Sequence, residues 1–239
     1  DPARMKMVSI MPCTAKKYEI TRDHEMFASG FKDVDVVLTT RELARMIRQA
    51  GIDFRNLAPE TADNFLSAYS GAGTMFGTTG GVMEAALRTA QNVLTGEKMP
   101  KLEFEEIRGL AGIKETTVVI AGEEIRIAVA HGLGHVGEVL ERVRRAKAEG
   151  APPPYHFIEV MACPGGCIGG GGQPYGVTDE IRRKRMQGLF ADDRDRQVRC
   201  SHDNPEVQQV YAEFLGEPMS EKAHELLHTT YQARPVYRK

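Results

Sequence analysis

Cys163 and Cys167 stand four positions apart in "MACPGGCIGGGGQP" (161–174), at the head of a run of glycines, and Cys13 closes the short motif "SIMPC" near the start of the chain. Thiolates are soft donors suited to zinc, copper or iron–sulfur centres, and this chain has only four cysteines in 239 residues. Pro164 and the two glycines after it disfavour a helix and favour a turning loop, in which two sulfurs can face one centre. The following "GGGG" offers bare backbone for close approach. Zinc sites usually draw on paired C-x2-4-C or Cys/His sets, and the nearest histidines, His131 and His135, read as capping or packing residues at a strand end and a helix start. A phosphate loop at this motif has no support, since no GKS/GKT is present and cysteine would serve no purpose in one. Iron–sulfur ligation fits best, although a cubane uses four thiolates and three lie in promising places. Cys200, in "VRCSHDNPEV", reads as a free, partly buried thiol ahead of a helix capped by Ser201 or Asn204.

Composition narrows the setting. With 31 basic and 33 acidic residues the formal charge is -2, which gives no electrostatic footprint for nucleic acid or an anionic membrane. The longest apolar runs, "VDVVL" and "IRIAVA", fall far short of the roughly 20 residues of a membrane span. The opening "DPARMKMVSIMPC" has no apolar core or cleavage site of a signal peptide. A reducing, cytoplasmic location is expected, and four cysteines there point to metal or redox chemistry rather than disulfides.

The elements that must position the cysteines follow from periodicity. "MKMVSIM" (5–11) reads as a buried strand delivering Cys13 at its carboxyl end. Residues 34–38 read as a second strand, followed by a Thr40 cap, a helix over 41–50 and a Gly51 stop. Residues 61–80 read as a loop, and 81–95 as a helix closed by Gly96. "KLEFEEI" (101–107), "TTVVIAG" and "EEIRIAVAHG" read as strands, with "AGE" (121–123) as a hairpin turn between the last two. A helix over 133–150, a break at "APPP" and a strand "YHFIEVMAC" (155–163) lead into the glycine-rich motif. Residues 177–190, 204–216 and 219–228 read as helices. Strands alternating with helices predict an α/β fold with mostly parallel sheets, in which ligands sit at the carboxyl ends of strands. Both Cys13 and Cys163 fall at such ends.

Three stretches, "SIMPCTAKKYE" (9–19), "FGTTGGVMEAALRTA" (76–90) and "EVMACPGGCIGGGGQP" (159–174), resemble the second and third signatures of the FeFe hydrogenases and the segment between them, and the likeness extends to the tail "EPMSEKAHELLH". That resemblance implies a two-lobed α/β domain flanked by helices and an oxidoreductase activity, 2H+ + 2e- to and from H2. It implies an H-cluster, in which a 4Fe-4S cubane is linked to a diiron unit carrying CO, cyanide and a bridging dithiolate. By resemblance Cys13 and Cys163 are cubane ligands and Cys167 bridges cubane and diiron unit. Lys16 donates to a cyanide, with Glu19 as its partner. Met11, Met161 and Phe76 form the apolar wall around the diiron unit, and Pro12 fixes the chain as it passes. Gly165, Gly166 and Gln173 belong to the loop that seats the cofactor.

The family's first signature, T-S-C-C-P, is absent from the sequence. Residues 1–239 are therefore expected to be a partial H-cluster domain, incomplete at its N-terminus, with residues 219–239 as a helical tail. A partner chain or segment is expected to supply the first signature and the fourth cubane cysteine, with ferredoxin or other iron–sulfur electron-transfer subunits, NAD(P)H-linked in one form. Two competing readings stand beside this one. The chain resembles non-catalytic cytosolic iron–sulfur assembly factors in its "MPC" and "MACP-GC" patterns, and a hydrogen-sensing hydrogenase would carry the same motifs.

Overall fold

A computed structural model of the chain describes residues 1–22, 25–63, 66–99 and 101–233. In chain order the elements are β1 (Val8–Met11), α1 (Lys16–Glu19), β2 (Val36–Thr39), α2 (Thr40–Gln49), α3 (Gly71–Met75), α4 (Gly81–Thr95), β3 (Ile113–Ile120), β4 (Glu123–His131), α5 (Leu133–Ala148), β5 (Phe157–Met161), α6 (Asp179–Asp195), α7 (Pro205–Val210) and α8 (Glu221–Leu227). They build two sheets, β1-β2 and β3-β4-β5. The pairs β1-β2 and β4-β5 are parallel, and β3-β4 is the antiparallel hairpin. The fold is α/β, as expected.

The larger sheet is covered on both faces, and β4 shows why. Alternate residues of a strand point to opposite faces. Ile127 and Val129 join Met83 and Leu87 of α4 in one buried cluster, while Ala128 and Ala130 join Val136 and Val139 of α5 in another. The smaller sheet is less covered: Val8 and Ile10 of β1 are 52% and 50% exposed, and Val36 of β2 is 44% exposed.

Four local expectations are corrected. Thr39, not Thr40, caps α2: its hydroxyl accepts from Glu42 N–H while the Glu42 carboxylate accepts from Thr39 N–H, a reciprocal capping box. "KLEFEEI" is no strand. It holds a single 3-10 turn, Glu105–Ile107, because Phe104 and Ile107 lie three residues apart and both pack on the α4 cluster. The expected loop 61–80 contains α3, capped by Ser70. The last helix covers Glu221–Leu227 only; residues 228–233 are not helical, and 234–239 lie outside the described residues.

Candidate cluster site between the sheet ends

Cys13 and the Cys163–Cys167 loop reach one place from opposite sheets. Met11 ends β1 opposite Thr39, so Pro12 and Cys13 leave the carboxyl edge of the smaller sheet. Met161 ends β5 opposite His131, so Cys163 leaves the carboxyl edge of the larger one. The glycine-rich loop then crosses between them. Gly172 N–H donates to Pro12 O at 3.1 Å, Arg41 N–H donates to Gly172 O at 3.3 Å, and the Arg41 guanidinium donates to Gln173 O.

This docking accounts for the run of glycines. A Cβ on Gly172 would stand 2.8 Å from Cys13 N, and one on Gly171 3.0 Å from Thr14 Oγ1. One on Gly170 would collide with Pro12 O. The loop carries almost no side chains because it lies backbone to backbone on the strand end that presents Cys13.

The other side of the loop is held as closely. Gly165 and Gly166 both adopt left-handed backbone, with φ of 78° and 90°. Gly165 N–H donates to His131 Nδ1 at 3.0 Å, and Gly165 O accepts from Thr79 N–H at 3.0 Å. Ile168 N–H donates to Gly77 O at 2.8 Å. A Cβ on Gly166 would stand 2.7 Å from Met161 Sδ and 2.8 Å from Thr79 N. Buried Thr78 and Thr79 thus form a ledge for the loop, and the Thr78 hydroxyl is buried without a hydrogen-bond partner.

Two buried ionisable groups support the ledge. Glu159 on β5 accepts from Gly80 N–H at 2.6 Å and Met83 N–H at 2.7 Å, and so caps the start of α4. Burial pushes its carboxyl up, against those two hydrogen bonds and the Lys114 charge. Lys114 donates to Gly109 O at 3.0 Å and Thr79 Oγ1 at 3.2 Å. Burial lowers its ammonium to about 8, with Glu159 opposing.

Electrostatics show the cysteines as neighbours. Burial raises the Cys167 thiol, the charges of Cys13 and Cys163 raise it further, and the Lys16 ammonium opposes them. Lys16 also pairs with Glu19 one turn on. Three soft thiols gathered beside an ammonium at the carboxyl ends of two sheets are a donor set that suits an iron–sulfur group.

The remaining predicted residues fall around this cleft in different ways. Met11, Pro12 and Met161 are half-buried at the strand ends. Phe76, which closes α3 just before the ledge, is 48% exposed. Lys17, next to Lys16, donates to Val37 O at 2.9 Å and pairs with Glu42 at 2.9 Å, tying α1 to β2 and α2. Cys200 is buried apart from the trio, before the 3-10 turn Ser201–Asp203, and Asn204 is the residue that caps α7. Sequence reasoning missed Thr79, Lys114 and Glu159, and it read His131 only as a capping or packing residue at a strand end, whereas its ring accepts a hydrogen bond from the cysteine loop.

Comparison with known proteins fits this arrangement. Residues 1–171 match the family described as iron only hydrogenase large subunit, C-terminal domain, and residues 179–234 match the iron hydrogenase small subunit. The chain belongs to the iron-only hydrogenase family. It is 50% identical over 97% of its length to the NADP-reducing hydrogenase subunit HndD of Solidesulfovibrio fructosivorans, of which it spans 38%. An apo FeFe hydrogenase HydA1 variant from Chlamydomonas reinhardtii superposes with a TM-score of 0.75 at 39% identity, over 96% of this chain and 63% of that one. Protein NAR1 of Arabidopsis thaliana is 31% identical over 94% of this chain and 49% of its own length. Large-subunit and small-subunit segments of this hydrogenase-family chain thus lie on one polypeptide. No helix among the described residues is long and apolar enough to cross a membrane.

Proposed function

We propose that this chain is the part of an FeFe hydrogenase that holds the H-cluster through Cys13, Cys163 and Cys167. The observation that carries the reading is the docking of the glycine-rich loop on Pro12 and Cys13, which brings thiols from two separate sheets together beside Lys16. When bound, the group supplies the iron chemistry of reversible proton reduction, 2H+ + 2e- to H2. The chain's own residues hold and shield it. Cys13 and Cys163 would hold the cubane, and Cys167 would be the thiolate held in common with the diiron unit. Lys16, kept oriented by Glu19, presents a charged donor to an anionic ligand, where such a hydrogen bond is strongest. Met11, Met161 and Phe76 exclude water.

Three cysteines leave one cubane corner to be filled. The chain spans 38% of the length of its hydrogenase relative, and the exposed apolar residues Val8, Ile10 and Val36 leave the parallel sheet open to a further segment. We infer that this segment, on the same or a partner polypeptide, brings the fourth cysteine and the route for electrons, with iron–sulfur or NADP-linked subunits beyond it.

A second reading rests on the 31% identity with NAR1: a cluster-binding relative without hydrogen turnover. Infrared spectroscopy of anaerobically matured protein decides between them. CO and cyanide bands, with hydrogen evolution from a reduced low-potential donor, support the hydrogenase. Bands without turnover point to a hydrogen sensor. A cubane with no such bands overturns the proposal in favour of the assembly-type relative.

A further inference from the structure

We propose that Cys200, His202 and Asp203 form a second metal site, separate from the cysteine cleft, that takes one divalent ion of the zinc class. One ligand atom from each, a thiol sulfur, a ring nitrogen and a carboxylate oxygen, lie within 4.8 Å of one another. A tetrahedral ion with bonds of about 2.0–2.3 Å holds its donors roughly 3.5 Å apart, so small side-chain rotations close the site.

The turn presenting these donors is already fixed. Asp203 N–H donates to Cys200 O at 3.2 Å, Asn204 N–H donates to Ser201 O at 3.2 Å, and Gln208 Nε2 donates to His202 O at 2.7 Å. Two of the three ligands are also oriented from behind. His202 Nδ1 lies 3.1 Å from Thr89 Oγ1 on α4, leaving Nε2 to face Asp203 Oδ1 at 4.0 Å. Lys98 takes the other oxygen, Asp203 Oδ2, at 3.2 Å and leaves Oδ1 available. Outer partners of this kind set the ring orientation and carboxylate direction that a metal ligand requires.

The donor chemistry selects the ion. A thiolate with an imidazole suits zinc rather than magnesium or calcium, and one thiolate plus one carboxylate balance a divalent charge. Three protein ligands leave a fourth position for water. Cys200 is 8% exposed and the turn packs against α3 and α4. An ion here would therefore staple the link between α6 and α7 to the helix that carries Thr89.

Cobalt titration of the full chain tests the site. In a variant with Cys13, Cys163 and Cys167 all changed to alanine, Co2+ should bind with one equivalent per chain, show a thiolate-to-cobalt charge-transfer band and be displaced by Zn2+. Adding Cys200→Ala should abolish the band and His202→Gln should abolish saturable binding, while Thr89→Val should keep the band and weaken affinity about 10- to 100-fold. Absence of a saturable band in the triple-alanine chain, or a band surviving Cys200→Ala, overturns the proposal. Should the triple variant not fold, the parent chain reads the same difference: Cys200→Ala must bind one equivalent of Co2+ fewer, and an unchanged stoichiometry refutes the site.

Discussion

Gly165 N–H donates to His131 Nδ1 at 3.0 Å, from the middle of the loop that carries both Cys163 and Cys167. His131 Nε2 faces Leu110 O at 3.3 Å, so the neutral ring donates there and accepts from Gly165. A protonated ring could not accept. Changing His131 to leucine leaves a buried N–H unpaired and should cost about 1–3 kcal/mol, with a parallel loss of iron incorporated on reconstitution. His131→Asn, which retains an acceptor, should recover part of both. Chemical denaturation and iron counts check this, and a leucine variant equal to the parent in both would remove His131 from the site.

The same contact has a pH signature. Burial lowers the His131 pKa from 6.5, and the Lys114 charge lowers it further. With the folded value depressed, the unfolded chain takes up the proton first. The contribution of His131 is therefore complete above pH 6.5 and declines as pH falls from there towards the folded value. The difference in stability between parent and His131→Asn should shrink over that window.

Two glycine substitutions separate docking from propensity. Gly172→Ala would place a Cβ 2.8 Å from Cys13 N and Pro12 C, backbone atoms that cannot give way alone, so the loop should lift from β1 and cluster assembly should fail. Gly188, inside α6, has nothing within 4 Å of its would-be Cβ, and Gly188→Ala should stabilise by about 0.5–1 kcal/mol through helix propensity. Thermal melts and iron content of the two variants should move in opposite directions.

Much of this site was legible in the sequence, for a physical reason. Cysteine chemistry, strand-ending positions and the glycine run are local signals, and the resemblance in "SIMPCTAKKYE" and "EVMACPGGCIGGGGQP" combined them. The helix α4 and its Gly96 stop, in left-handed backbone at φ 71°, were equally local. What could not be read were contacts made across the fold. His131 meets Gly165 34 positions away, and Glu159 caps a helix 76 positions back at Met83. "KLEFEEI" misled because its alternation suited a strand while its side chains serve one core from a tight turn. The glycines answer to the contact of Gly172 with Pro12, 160 positions apart, which no local pattern encodes.

Lys114 offers a titration in the alkaline range. Burial lowers its ammonium from 10.5 to about 8, with Glu159 opposing. Because the folded value is the lower one, the unfolded chain holds the extra proton between pH 8 and 10.5, and stability contributed through Lys114 rises with pH across that interval. The full span corresponds to about 3 kcal/mol. Subtracting the pH profile of Lys114→Met from that of the parent should isolate a positive slope confined to this window. A flat difference would mean that Lys114 is not desolvated on its ledge.

The buried ion network behind the ledge gives the largest expected effect. Arg88, fully buried on α4, donates to Glu84 at 2.7 Å and to Asp193 of α6 at 2.8 Å. Arg199 adds a second contact to Asp193 at 2.6 Å, and Arg108 a second to Glu84 at 2.7 Å. Asp193 also lies where a Cβ on Gly71 of α3 would have to go, so the network fixes α3, whose end leads directly into Gly77–Thr79 and the cysteine loop. Removing Arg88 leaves Glu84 with Arg108 alone and Asp193 with Arg199 alone, each short of a buried partner, and Arg88→Met should cost up to about 3–5 kcal/mol. Burial raises the Asp193 carboxyl, yet its hydrogen bonds to Arg88 and Arg199 prevail and hold it below its ordinary 3.8. That depression stabilises the fold above pH 3.8 and is lost as pH falls through the folded value. Arg88→Met weakens the depression, so acid unfolding should begin at higher pH than in the parent. Equal acid midpoints for the two proteins would show that the network does not set the stability of the α3–α4–α6 framework.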